Sequence, residues 1–138
     1  MKGNIMDALV QIGEAAQWVG LPKKTIRYYE DIGLVSPLRT ENGFRQFRQG
    51  DILSLTVIKN ARHLGFSLED SRVLLDLFKR QDRRSSEVNN LAIEQLEKTR
   101  EKIAQLSRLK EQLEHLVSQC PDDDEPDCTI LEFLADSH

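Results

Sequence analysis

VNNLAIEQLEKTREKIAQLSRLKEQLEHLV, residues 88 to 117, is the stretch whose reading decides the fold. It contains neither Gly nor Pro, and it outruns the roughly 11 or 12 residues of a mean globular helix. Steps of four and three from Ala92 land on Leu96, Thr99, Ile103, Leu106, Lys110, Leu113 and Val117, a heptad seam whose polar members are Thr99 and Lys110. Leu109 and Leu116 widen the stripe. Between them stand Glu94, Glu97, Lys98, Arg100, Glu101, Lys102, Arg108, Glu111 and Glu114, mixed signs that suit the solvated flanks of a two-stranded coil. The competing reading is one helix of a monomeric bundle. It lacks partners, because only the segment around Leu68 to Phe78 offers another strongly apolar helix to cover the seam. The seam therefore predicts a homodimer.

A chain of 138 residues has room for that helix, one small globular head before it and a tail after it. The expected divisions are an extension over 1–11, the head over 12–80, the dimerisation helix over 85–119 and a tail over 120–138. No apolar run reaches the roughly 18 residues of a bilayer span. The opening MKGNIMDALVQ lacks the basic-then-apolar pattern of a signal peptide. Both features predict a cytoplasmic protein with no membrane partner. The net charge of -4 is unevenly spread: residues 1–80 hold 12 Lys+Arg against 9 Asp+Glu, and residues 81–138 hold 7 against 14. A mildly basic head on an acidic body is consistent with nucleic-acid contact through the head.

Within the head, IGEAAQWV (12–19) reads as a short helix with Ile12, Ala15, Ala16 and Val19 on one face and Gly20 ending it. Leu21-Pro22 then opens a second helix, KKTIRYYE (23–30), with Lys23, Lys24 and Arg27 on its exposed face. That outline is a helix-turn-helix with the second helix offered to the major groove; an αα-hairpin with a solvated basic face has the same outline. Asn42-Gly43, between short alternating segments, signals a hairpin and hence a small β wing, around which Arg39, Arg45 and Arg48 suit phosphate oxygens. A third helix over about 50–64 carries Ile52, Leu55, Ile58 and Leu64 as its core stripe. Ser67 then caps a fourth, with Asp70 three residues on.

The order IGEAA, IRYYEDIGLVSP, RTENGFRQF and ARHLGFSLED resembles the winged-helix DNA-binding domain of the MerR family, over about Ile12 to Phe78. Phe44 stands where that family usually has Tyr. The resemblance implies that Lys24, Arg27 and Tyr29 of the recognition helix, with Arg39 and Arg45 of the wing, contact DNA. The expected fold class is all-α dominated with a small β wing: a winged helix-turn-helix head, a long antiparallel coiled-coil dimerisation helix and a C-terminal metal-binding loop.

Cys120 and Cys128 are the only cysteines, and they bracket Pro121-Asp122-Asp123-Asp124-Glu125-Pro126-Asp127. The long helix must stop at Pro121, and Ile130, Leu131, Phe133 and Leu134 form an apolar helical turn beyond the loop. Three readings compete: a structural disulfide, two unrelated thiols, and a metal site. A reducing cytosol disfavours the disulfide, and unrelated thiols need no bracketed loop. Zn usually takes four N, S or O ligands, so two Cys without a well-spaced His fall short of a closed site. Two thiolates suffice for a soft monovalent ion such as Cu(I).

The pattern C-P-x-D-D-x-x-D-C followed by Ile-Leu resembles the metal loop of the CueR-type copper-efflux regulators, and RRSSEV (83–88) resembles the opening of their dimer helix. That likeness places Ser85 where the family's divalent-metal and mercury sensors carry a Cys. Spacing agrees: the 35 residues from Ser85 to Cys120 span about 50 Å of helix, so antiparallel packing brings one helix start to its partner's end. The sequence thus predicts a non-enzymatic, homodimeric activator of copper-efflux genes, sensing Cu(I), or alternatively Ag(I) or Au(I). The resemblance implies that it acts on double-stranded promoter DNA and, through the promoter, on RNA polymerase. Its rivals are a coiled-coil copper carrier and a thiol redox switch.

Overall fold

The computed structural model describes residues 9–80, 84–119 and 128–136. Six helices and one hairpin follow in order: α1 (Ile12–Val19), α2 (Lys23–Asp31), β1 (Leu38–Arg39), β2 (Arg45–Gln46), α3 (Gln49–His63), α4 (Leu68–Lys79), α5 (Ser85–Gln119) and α6 (Thr129–Ala135). Two compact units share the chain, Met1–Leu91 and Ala92–His138.

In the first unit the apolar stripes of α1, α2, α3 and α4 converge. Phe47, Ile26, Leu55 and Ile58 are fully buried, with Ala15, Val19, Leu34, Val35, Ile52 and Leu75 around them. Gly20 ends α1 in the left-handed region at φ 82°, and its N–H donates to the Ala16 carbonyl at 2.8 Å. Lys59 Nζ donates to the Val19 carbonyl at 2.7 Å, a cation on the negative end of α1. A Cβ on Gly20 would stand 2.8 Å from that Nζ, the movable end of a flexible side chain, so the positive φ and not space is what favours glycine. Arg72 Nη2 likewise donates to the Ile32 carbonyl at 2.8 Å, tying α4 to the end of α2.

Val10 and Leu64 of the head differ from expectation in their packing. Val10 falls within the expected extension, yet it is buried and bridges Phe47, with N–H to carbonyl distances of 3.1 and 2.7 Å. The folded head thus includes Val10. Leu64 belongs to the expected core stripe, yet α3 stops at His63 and leaves Leu64 66% exposed. Gly65, at φ 93°, reverses the chain, Phe66 N–H closes on the Ala61 carbonyl at 3.1 Å, and the Phe66 ring is buried instead. Ser67 caps α4 as expected, its hydroxyl accepting from Asp70 N–H at 3.0 Å.

α5 runs unbroken from Ser85 to Gln119, and its stripe is bare: Ile103, Leu106, Leu113 and Val117 are all more than half exposed, Leu106 at 63%. Thr99 returns its hydroxyl to the Gln95 carbonyl at 2.9 Å, so one of the seam's two polar members is satisfied within the helix. In the second unit Leu116 is buried, and with Phe133 and Thr129 it lines a recess between the end of α5 and α6. No helix among the described residues is long and apolar enough to cross a membrane.

Candidate nucleic-acid interface and sensor loop

α2 has two faces, and the spacing of its residues decides what each can do. Ile26 and Tyr29, three apart, point into the core; Lys23, Lys24, Arg27 and Tyr28 lie on the solvent side. Lys24 and Arg27 are therefore displayed as expected. Tyr29 is not: it is 7% exposed, whereas Tyr28 is 51% exposed, the two rings lying 6.0 Å apart between centroids at 47°. Counting three from Ile26 would have assigned Tyr29 to the core. The aromatic that α2 offers to a ligand is Tyr28.

The wing is two residues deep on each side, with Leu38 opposite Gln46 and Arg39 opposite Arg45. Thr40 and Phe44 continue the ladder, Thr40 N–H donating to the Phe44 carbonyl at 2.9 Å. The loop proper is then Glu41-Asn42-Gly43, closed by Gly43 N–H on the Thr40 carbonyl at 2.9 Å. Only Gly43 has positive φ, 85°, so the Asn-Gly pair forms the last part of a three-residue loop with a left-handed Gly, not a two-residue primed turn. Phe44 stands at the rim, 61% exposed.

Arg39 and Arg45 both reach back to Glu30, in the last turn of α2. Arg39 Nη2 donates to its Oε2 at 2.9 Å, and Arg45 Nε donates to its Oε1. Burial works against the charge on Glu30, but the hydrogen bonds from Arg45 and Arg39 and the charges of both guanidinia outweigh it, holding the carboxyl below the usual carboxylate range. Arg48 is engaged elsewhere: its Nε donates to Asp51 Oδ2 at 3.0 Å and its Nη2 to the Ser36 carbonyl at 2.8 Å, while its backbone N–H donates to Asp51 Oδ2 at 2.8 Å across the first turn of α3. Sequence reasoning missed Glu30. The available signal was a pair of arginines equidistant from Asn42, which must face each other across any hairpin centred there.

At the other end of the chain, Cys120 and the loop 121–127 lie outside the described residues. Cys128 is partly buried and immediately precedes α6, its carbonyl accepting from Glu132 N–H at 3.0 Å. Thr129 Oγ1 donates to the Gln119 carbonyl at 3.3 Å, which joins the residues immediately outside the two cysteines. Ser85 is exposed as the first residue of α5.

Residues 10–77 match the family described as MerR HTH family regulatory protein, and residues 52–116 match that described as MerR, DNA binding. The chain is 47% identical to the HTH-type transcriptional regulator HmrR of Rhizobium leguminosarum bv. viciae over 92% of its own length and 98% of that protein's. It is 39% identical to the regulator CueR of Escherichia coli O6:H1 over 91% of its length and 94% of CueR's. The crystal structure of PbrR691 from Ralstonia metallidurans CH34 in complex with lead(II) superposes with a TM-score of 0.78 at 31% identity, covering 91% of this chain and 99% of the other. The exposed basic face of α2, the wing beside it and the long helix after them are thus those of a regulator and not an enzyme, and the chain belongs to the MerR family of helix-turn-helix transcriptional regulators.

Proposed function

We propose that this protein is a heavy-metal-responsive transcriptional activator that binds promoter DNA as a dimer and takes Cu(I) as its signal through Cys120 and Cys128. The observation that carries the sensing half is the bond from Thr129 Oγ1 to the Gln119 carbonyl, which brings together the residue before Cys120 and the residue after Cys128. Two thiolates match a soft monovalent ion and fall short of the four donors usual for zinc. The acidic side chains between them are hard oxygen donors, poorly suited to Cu(I). The names of the relatives, heavy-metal regulators and CueR among them, support the metal class.

On the DNA side, Lys24 and Arg27 of α2 and Arg39 and Arg45 of the wing are assigned to DNA contact, largely to phosphate, with Tyr28 taking the aromatic contact first expected of Tyr29. The bare seam of α5 is the dimerisation surface. Antiparallel packing would bring Ser85 of each protomer toward the partner's two cysteines. Its hydroxyl is too poor a donor to complete a divalent site, which favours Cu(I), Ag(I) or Au(I) over Zn(II) and Hg(II). Metal binding would then be coupled, as an allosteric free energy, to a distortion of promoter DNA that RNA polymerase reads.

The test is a gel shift on DNA upstream of copper-efflux genes, paired with transcription in vitro under reducing conditions, with Cu(I), Ag(I), Au(I) and Zn(II) compared. DNA binding with and without metal, and transcription only with the monovalent ions, is the expected result. No binding to any such DNA would favour a copper carrier; induction only under oxidant would favour a thiol switch.

A further inference from the structure

The wing contains an electrostatic conflict. Arg39 and Arg45 are direct cross-strand partners, and like charges so opposed destabilise an antiparallel pair. An isolated two-stranded ribbon is marginal even without that repulsion. The conflict is relieved from outside the wing, where Glu30 gives one carboxylate oxygen to each guanidinium. Arg39 Nη1 also donates to the Gly43 carbonyl at 2.7 Å, so the side chain held by Glu30 in turn holds the loop. Glu30 is well placed to do this, with its side chain 17% exposed and its position one helical turn after Arg27.

We propose that Glu30 is a positioning residue for DNA binding: by clamping both wing arginines to the recognition helix, it makes α2 and the wing meet the duplex as one unit. A guanidinium has five N–H groups. The bonds described occupy one Nη1 and one Nη2 hydrogen of Arg39 and the Nε hydrogen of Arg45, so each side chain keeps donors for a phosphate while its direction is set. The inference rests on the reading that Arg39 and Arg45 contact DNA.

Its sign distinguishes it from plain electrostatics. A carboxylate near DNA repels phosphates, so removing it should tighten binding if charge alone matters. If Glu30 positions, removal should weaken operator binding, because two long side chains must then be ordered during association. The experiment uses the full chain and measures affinity for operator and for unrelated duplex, with thermal unfolding recorded beside each. Glu30→Gln should lower the operator-to-unrelated affinity ratio about tenfold without weakening binding to unrelated DNA. Glu30→Asp keeps the charge but shortens the reach, and should lose specific affinity as well; wild-type behaviour there would leave charge as the whole effect and overturn the proposal. In an Arg39→Ala/Arg45→Ala background Glu30→Gln should no longer weaken operator binding. Unchanged or tighter operator binding by Glu30→Gln in the intact wing overturns the proposal, as does an undiminished effect in that background. The wing reading fails separately if Arg39→Ala/Arg45→Ala leaves both operator affinity and its salt slope unchanged, where a fall of about 2 in the slope is expected; that outcome removes the proposal too.

Discussion

Adjacent tyrosines on one helix should give opposite phenotypes when each is truncated. Tyr29 is 7% exposed in the core beside Ile26, so Tyr29→Ala opens an aromatic-sized cavity and should cost about 3–5 kcal/mol, the range for large aromatics in cores. For a head of this size each kcal/mol moves the midpoint by about 4–8 °C, so the melting temperature should fall by at least about 12 °C. Tyr28 is 51% exposed, and its truncation should change stability by no more than about 0.5 kcal/mol. Its loss should appear in binding: one hydroxyl-to-phosphate hydrogen bond, made to a charged group and worth about 1.5–3 kcal/mol, corresponds to a roughly 10- to 150-fold weaker operator complex. Thermal denaturation at fixed protomer concentration, paired with fluorescence titration of operator DNA, measures both. Tyr29→Phe supplies the refuting result. If that variant keeps its melting temperature but binds operator tenfold more weakly while Tyr28→Ala binds normally, the buried tyrosine is the DNA ligand and the argument from burial is wrong.

Arg27→Ala should abolish specific operator binding and leave the dimer intact by size-exclusion chromatography; normal binding would mean that α2 is not the recognition helix. Because the folded-state carboxyl of Glu30 is held low, its contribution to stability is present above about pH 4.5 and is lost as pH falls through its depressed value. Melting temperatures of wild type and Glu30→Gln should accordingly differ at pH 6 and converge in strong acid; a gap that widens on acidification would contradict the clamp. Cys120→Ser and Cys128→Ser should each retain operator affinity and lose copper-dependent transcription, and loss of DNA binding in both would mark the thiols as structural. Ser85→Cys should gain Zn(II) or Hg(II) affinity by supplying a third thiolate, and should form a covalent dimer under mild oxidant if its Cα comes within about 7 Å of a partner cysteine. Neither outcome in that variant would remove both the antiparallel arrangement and the role given to Ser85.

The sequence by itself determined what depends on neighbours within a few positions. The stretch free of Gly and Pro after Arg84 could only propagate as one helix, and α5 runs over Ser85–Gln119 as its heptads required. Gly20 and Ser67 terminate and cap their helices through bonds no more than four residues long, so they too were legible. Tertiary structure alone decided what depends on which surfaces meet. Helical spacing ties Tyr29 to the face of Ile26, but which face of α2 packs was settled only by the core, and whether Leu64 or Phe66 was buried turned on the reversal at Gly65. Val10 became part of the head only by pairing with Phe47, far along the chain. Glu30 lies outside the hairpin whose arginines it holds, nine and fifteen residues away. Local signals carry no information about such distances, because the free energy that selects these pairings comes from desolvation and charge compensation between segments that meet only once the core has formed.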